Sequence, residues 1–139
     1  MVPISTIKDT NPIRAACFRP DGEYFAIGTN SKSLRIYSLK DILSLLEGSS
    51  LETSMIEPPS VIERKKHHQG SIYCLDWNEK SSIIASGSFD KTIKLISFPD
   101  LENRSSRVNE KEISASCLGS ERTSLKRARW NHSVDLLQL

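Results

Sequence analysis

Residues Ile13–Leu39 and Ile72–Phe98 lie over one another without a gap, at an offset of 59. IRAACFRPDGEYFAIGTNSKSLRIYSL meets IYCLDWNEKSSIIASGSFDKTIKLISF, and five of the 27 pairs are identical. The weight therefore falls on the order of features. Each copy runs through an apolar segment, a polar turn, a second apolar segment, a Gly-containing turn and a third apolar segment. The first polar turn is Arg19-Pro20-Asp21-Gly22, where Pro presets φ and Gly accepts the left-handed region. Its counterpart is Asn78-Glu79-Lys80-Ser81-Ser82. Short segments spaced by such turns predict an antiparallel meander. Ile72–Trp77, Ile83–Ser86 and Thr92–Phe98 are apolar at most positions instead of alternating, which predicts a sheet covered on both faces. Two copies of one supersecondary unit stack to bury those faces.

The second copy carries a more specific pattern: His68 with Gly70-Ser71-Ile72, Leu75-x-Trp77, Ala85-Ser86-Gly87-Ser88, and Asp90-Lys91-Thr92-Ile93-Lys94. It resembles a WD40 repeat, the blade of a β-propeller. The resemblance implies an all-β fold of two WD40-type antiparallel blades, a partial propeller. It also implies a structural hydrogen-bond network of His68, Ser86 and Asp90, in which Asp90 pins a turn against the incoming strand. A satisfied buried network costs far less than an unpaired one. The family's tryptophan position is Ile96, which offers no donor, and Ser97 follows in place of Asp, so a weaker lock is expected. In the first copy the corresponding positions are Asp9, Ser31 and Tyr37. The full chain cannot form there, although Ser31 can bond locally and Tyr37 can fill the aromatic slot.

The chain then divides into an N-terminal extension (1–12), blade 1 (13–39), an insertion with a short helix (40–66), blade 2 (67–99) and an atypical tail (100–139). A family repeat is roughly 40 residues, so the larger offset leaves room for the insertion. Its helix is read from Ile42 to Gly48, with Ser38 and Asp41 resembling a capping box and Ile42, Leu43 and Leu46 on one face. Ser49–Ser60 reads as exposed loop. The tail is expected to be disordered or weakly helical, with a short terminal helix over 124–139 and no third repeat.

Arg64-Lys65-Lys66-His67-His68 is the densest basic run, and Arg64, Lys65 and Lys66 are candidate partner-binding residues for an acidic surface. The same lysines also suit a solvated edge that resists strand pairing. Net charge is only +2, so bulk charge proposes no nucleic-acid partner, and RNA binding through Arg64–Lys66 and Lys126–Arg129 is the lesser alternative. Three scattered cysteines, Cys17, Cys74 and Cys117, argue for free thiols in a reducing compartment. Neither a signal pattern nor an apolar run of membrane length is present. Zinc-ligand spacing, a nucleophile elbow, a P-loop and a dinucleotide-binding Gly cluster are all missing. No enzyme, metal or cofactor is expected.

Asp9-Thr10-x-Pro12-Ile13-Arg14-Ala15, Ala26–Arg35, and Arg64-x-Lys66-His67-His68-x-Gly70–Cys74 carry a narrower resemblance, to a microtubule-associated branch of the WD40 proteins. That branch has N-terminal helical dimerisation motifs, a linker and a seven-blade propeller. The tail after Pro99 departs from it where another blade should follow, which implies a shortened product. The functional expectation is a non-enzymatic protein–protein interaction module, cytoplasmic and microtubule-associated by resemblance. The alternative is a structural fragment without binding of its own, or a generic WD40 adaptor. Two blades also leave uncapped faces, and self-association through them is expected.

Overall fold

The computed structural model describes residues 5–47, 57–78 and 83–97 in full, and 110–114, 129–131 and 136–138 as backbone. Strands β1 (Ile13–Phe18), β2 (Tyr24–Thr29) and β3 (Leu34–Ser38) form an antiparallel meander. Helix α1 (Leu39–Glu47) follows, and β4 (Ile62–Arg64) returns to pair with β3. The second sheet repeats this order with β5 (Ile72–Asn78), β6 (Ile83–Ser88), β7 (Thr92–Ser97) and β8 (Glu110–Ser114). A hairpin of β9 (Arg129–Asn131) and β10 (Leu136–Gln138) lies beside β5. The architecture is thus two four-stranded antiparallel blades that do not close on each other.

The turns form as their residues dictate. Gly22 sits at φ 78° and donates its N–H to the Arg19 carbonyl at 2.8 Å. Asp21 Oδ1 accepts the Glu23 N–H at 2.9 Å, and Asp21 Oδ2 pairs with Arg19 Nε at 2.9 Å. Residues 79–82 of the second polar turn lie outside the described residues.

Both blades gain an outer strand from segments read as something else. β4 comes from the insertion and β8 from the tail, where no strand is expected. Glu110-Lys111-Glu112-Ile113-Ser114 has almost no apolar pattern. Its strand state follows from the N–H and C=O groups of β7, which need partners that a polar edge strand supplies. The described part of 124–139 likewise forms β9 and β10 instead of the expected terminal helix.

Register fixes the packing. In blade 1, Cys17–Ala26–Ile36 ladder across one face and Phe18–Phe25–Tyr37 across the other. The repeat counterparts in blade 2 are Asp76–Ala85–Leu95 and Trp77–Ile84–Ile96. The core between the blades joins Ala26, Leu34 and Ile36 to Ile72, Leu75, Trp77, Ile84 and Ile96. One face type thus meets the opposite face type. Gly28 is needed at this seam: a Cβ there would sit 2.9 Å from Ile72 Cβ and closer still to its Cγ2.

Ser38 Oγ accepts the Asp41 N–H at 3.3 Å and caps α1. Ile42 is buried with Ile27 and Tyr37, which ties the helix to its own blade. Leu43, read as part of the packing face, is exposed, as is Leu45. Gly48 lies outside the described residues. No helix among the described residues is long and apolar enough to cross a membrane.

Candidate functional site

His68, Ser86 and Asp90 come from three separate places and converge beside the seam between the blades. His68 precedes β5, Ser86 is on β6, and Asp90 is in the β6–β7 turn. Asp90 is an acceptor only, so His68 Nδ1–H donates to its Oδ2, at 2.9 Å. The same carboxylate accepts the Gln69 N–H at 2.9 Å, the Thr92 N–H at 2.9 Å and the Thr92 hydroxyl at 2.6 Å. Burial alone would raise its pKa. The Thr92 hydroxyl, the Gln69 and Thr92 amides and His68 outweigh that and hold it at about 2.

His67 belongs to this cluster, although the basic run of the sequence groups it with the lysines. It is 3% exposed, and its Nε2 lies 2.9 Å from Ser86 Oγ. His68 Nε2 lies 2.8 Å from the same oxygen. The rings meet edge to face at 4.8 Å. Burial pushes the His67 imidazole down to about 3, with His68, Arg64 and Lys94 adding to the effect. Burial also lowers His68, partly offset by its bond to Asp90. Both rings are therefore neutral at pH 7, and the protons order themselves. With Nδ1–H spent on Asp90, His68 Nε2 accepts the Ser86 hydroxyl proton, and Ser86 Oγ accepts His67 Nε2–H. The longer approach of Ser86 Oγ to the Lys94 carbonyl, 3.3 Å, competes for that one proton. His67 Nδ1 is left buried as a bare acceptor without a partner.

A Ser–His–Asp sequence at these distances has the connectivity of a nucleophile relay. Ser86, however, is 0% exposed. No substrate atom reaches its Oγ, so the arrangement holds strands and does no chemistry. Cys17 is equally quiet: burial, then the nearby Asp76, push its thiol up to about 12. Asp76 is half-buried on β5, and its Oδ1 accepts the Trp77 N–H at 3.0 Å. Among the described residues, no three His, Cys, Asp or Glu side chains converge as metal ligands do.

Blade 1 builds a different network at the equivalent place. Asp9 takes the position of His68, with its side chain 1% exposed, and pairs with Arg35 Nη2 at 2.7 Å. The Ser31 hydroxyl donates to Asp9 Oδ2 at 3.3 Å and lies 2.5 Å from Thr29 Oγ1. The carboxylate has moved from the turn to the incoming segment, and Arg35, at the position of Lys94, supplies the countercharge.

The candidate partner-binding residues separate from the network. Arg64 is half-buried on β4, while Lys65 and Lys66 are exposed in the turn that follows. Lys66 has φ 53°, and Lys32 and Lys91, repeat counterparts in the β2–β3 and β6–β7 turns, have φ 69° and 67°. All three lysines are exposed. Hydrogen bonds stitch these turns together: the His68 N–H donates to the Lys32 carbonyl at 3.4 Å, and the Gln69 N–H donates to the Asp90 carboxylate at 2.9 Å. Phe89, 62% exposed, stands in the same turn as Lys91 and meets Tyr73 edge to face at 6.3 Å.

The family described as "WD domain, G-beta repeat" matches residues 1–38 and 60–97, more than half of the chain. Among solved structures, a chain in "Crystal Structure of Mitotic Checkpoint Complex" is similar at a TM-score of 0.64 and 13% identity, covering 96% of this chain and 32% of that one. A chain in "Crystal structure of RRP9 WD40 repeats" is similar at 0.55 and 12% identity, covering 77% of this chain and 27% of that one. This chain thus spans about a third of the length of those it matches.

Proposed function

Since the chain belongs to the WD40 repeat family, we propose that it is a non-enzymatic protein–protein interaction module that binds an acidic protein segment through one rim. The observation that carries this reading is the set of stitched turns bearing Lys32, Lys65, Lys66 and Lys91 beside the exposed Phe89. Lysine in a left-handed backbone conformation is costlier than glycine or asparagine, by about 1–2 kcal/mol. Three such lysines on one rim favour a role for the ammonium groups over simple turn formation. The sheets hold the turns in place, and a group of exposed lysines supplies the charge complementarity that steers an acidic partner to a rim. Asp90 lies in the same region, but its charge is spent on four internal donors.

The narrower sequence resemblance is to nemitin, a microtubule-associated WD40 protein. It supports a microtubule context, in which the acidic tails of tubulin are the partner and the site of action is cytoskeletal. The test is cosedimentation of the full chain with purified microtubules, intact or stripped of their acidic tails. The expected result is salt-sensitive binding that is lost on stripping and lost in Lys65→Glu/Lys66→Glu. Binding that survives both changes refutes the reading. Binding to RNA but not to microtubules would favour the nucleic-acid adaptor instead.

A further inference from the structure

Successive turns of an antiparallel meander fall at opposite ends of the sheet, and the two ends of blade 1 differ. The β2–β3 turn with Lys32 is at one end, and the pairing of Leu34 with Arg64 brings Lys65 and Lys66 to it. The β1–β2 turn and the start of α1 are at the other. There the Leu39 N–H donates to the Glu23 carbonyl at 2.9 Å, which ties the helix to the turn. The Val61 N–H donates to the Ile36 carbonyl at 2.7 Å and fixes the returning chain beside them. These segments enclose an open groove of about 1010 Å³. The helix lines it with Lys40, Leu43, Ser44 and Glu47, the i, i+3, i+4 and i+7 positions of one face. The turn lines it with Glu23 and Tyr24. Burial of Ile42 holds α1 to the blade, while Leu43 stays 44% exposed.

The groove reverses the charge of the chain. Asp41–Glu63 holds five carboxylates and no Lys or Arg, in a chain of net charge +2. Two cations line the groove, Arg19 and Lys40. Arg19 is engaged there: it pairs with Asp21 at 2.9 Å and lies 5.6 Å over the Tyr24 ring. Burial, then Glu23, raises the pKa of the Tyr24 hydroxyl; Asp41 and Asp21 add to the rise and Arg19 opposes it. α1 has no basic residue in its last turn and ends on Glu47, so a carboxylate stands at the negative end of the helix dipole. A cation from outside the chain corrects that arrangement. We propose that the groove docks a basic amphipathic segment of a partner protein, with an apolar side chain against Leu43 and Lys or Arg groups beside Glu23 and Glu47. Leucines at helical spacing with lysines between them match the face that α1 presents, and an acidic segment is repelled. This surface is at the opposite end of blade 1 from the lysine turns, and the inference does not rest on the acidic-partner reading.

The test is fluorescence anisotropy of the full chain with a labelled amphipathic Lys/Leu peptide as probe and a Glu/Leu peptide of the same spacing as control. The Lys/Leu peptide should bind in a saturable, salt-sensitive way, and the control should not. Leu43→Ser and Glu23→Lys/Glu47→Lys should each weaken binding by about tenfold, the loss expected for a central contact. Leu43, Glu23 and Glu47 are all exposed, and circular dichroism melts verify that the variants fold. Glu23→Gln/Glu47→Gln replaces the charge reversal if that variant does not. Amide chemical shifts should move at Asp21–Tyr24 and Leu39–Glu47 and stay fixed at Lys32 and Lys91. Absence of binding by the Lys/Leu peptide overturns the proposal, as does equal binding of the Glu/Leu peptide. Wild-type affinity in either folded variant also overturns it. Self-association of the chain that is lost in Glu47→Lys would seat the lysines of a second copy in the groove and overturn the separate partner.

Discussion

Replacing Asp90 with alanine removes one acceptor group from four donors, but the four losses are not equal. Gln69 is exposed, so its N–H returns to water. The Thr92 groups are half-buried and recover part of their solvation. His68, 1% exposed, cannot. Among the described residues, its Nδ1–H would be left with Thr92 Oγ1, at 3.1 Å, as acceptor. The cost is thus set by one stranded donor and amounts to about 1–3 kcal/mol. With an m-value near the middle of the range for small proteins, this shifts the urea midpoint by about 1 M. Equilibrium denaturation of the full chain followed by tryptophan fluorescence in a Trp130→Phe background, which leaves Trp77 as the reporter, reads the shift. Amide exchange at Gln69 and Thr92 gives a local readout that does not depend on global cooperativity. Combining Asp90→Ala with His68→Ala should cost less than the sum of the two, because they share one bond. An unchanged midpoint with unchanged exchange at Gln69 and Thr92 would refute the idea that this carboxylate fastens blade 2.

Two further outcomes follow from the same geometry. His67 titrates near 3 in the fold against 6.5 ordinarily, so between those values the unfolded chain binds more protons. Its contribution is fully present above about pH 6.5 and is lost as pH falls, at up to about 1.4 kcal/mol per pH unit. His68 shifts in the same direction and adds to the loss, and Asp90, lowered from 3.8 to about 2, extends it below pH 4. Flat stability from pH 7 to 5 would contradict neutral buried rings, whereas His67→Phe should flatten the slope. Gly28→Val forces bulk against Ile72 at the seam and should destabilise by about 1–3 kcal/mol or more. A thermal melt unchanged by it would mean that the blades do not pack through this face.

Much of the β architecture is legible in the chain because β2, β3, β5 and β6 are buried over most of their length. Apolar residues then occupy most positions, and Pro20, Asp21, Gly22 and Asp90 mark two of the turns between them. The outer strands escape such a reading. Ile62–Arg64 and Glu110–Ser114 are strands because a neighbour offers unpaired backbone groups, a cause that leaves no mark on side-chain pattern. His67 escapes for a related reason. Beside Lys65 and Lys66 it counts as one more cation, and only burial against Ser86 makes it neutral. Thr92 was within reach, since a Thr two residues after an Asp is a local bonding signature. The Asp9–Arg35 pair required matching the position of Lys94 to an arginine, which the repeat alignment contains but the family pattern does not draw out.

The late arrival of β4 has a kinetic consequence. Blade 1 is complete only when the chain has gone past its own helix and come back, so a span from Leu39 to Val61 must be closed before the fourth strand can bond. Closing such a loop costs entropy that rises only logarithmically, about 0.6 kcal/mol for each doubling. The tether can therefore grow or shrink over many residues with little penalty to the finished sheet. During synthesis, the edge of β3 stays unpaired until Arg64 has left the ribosome.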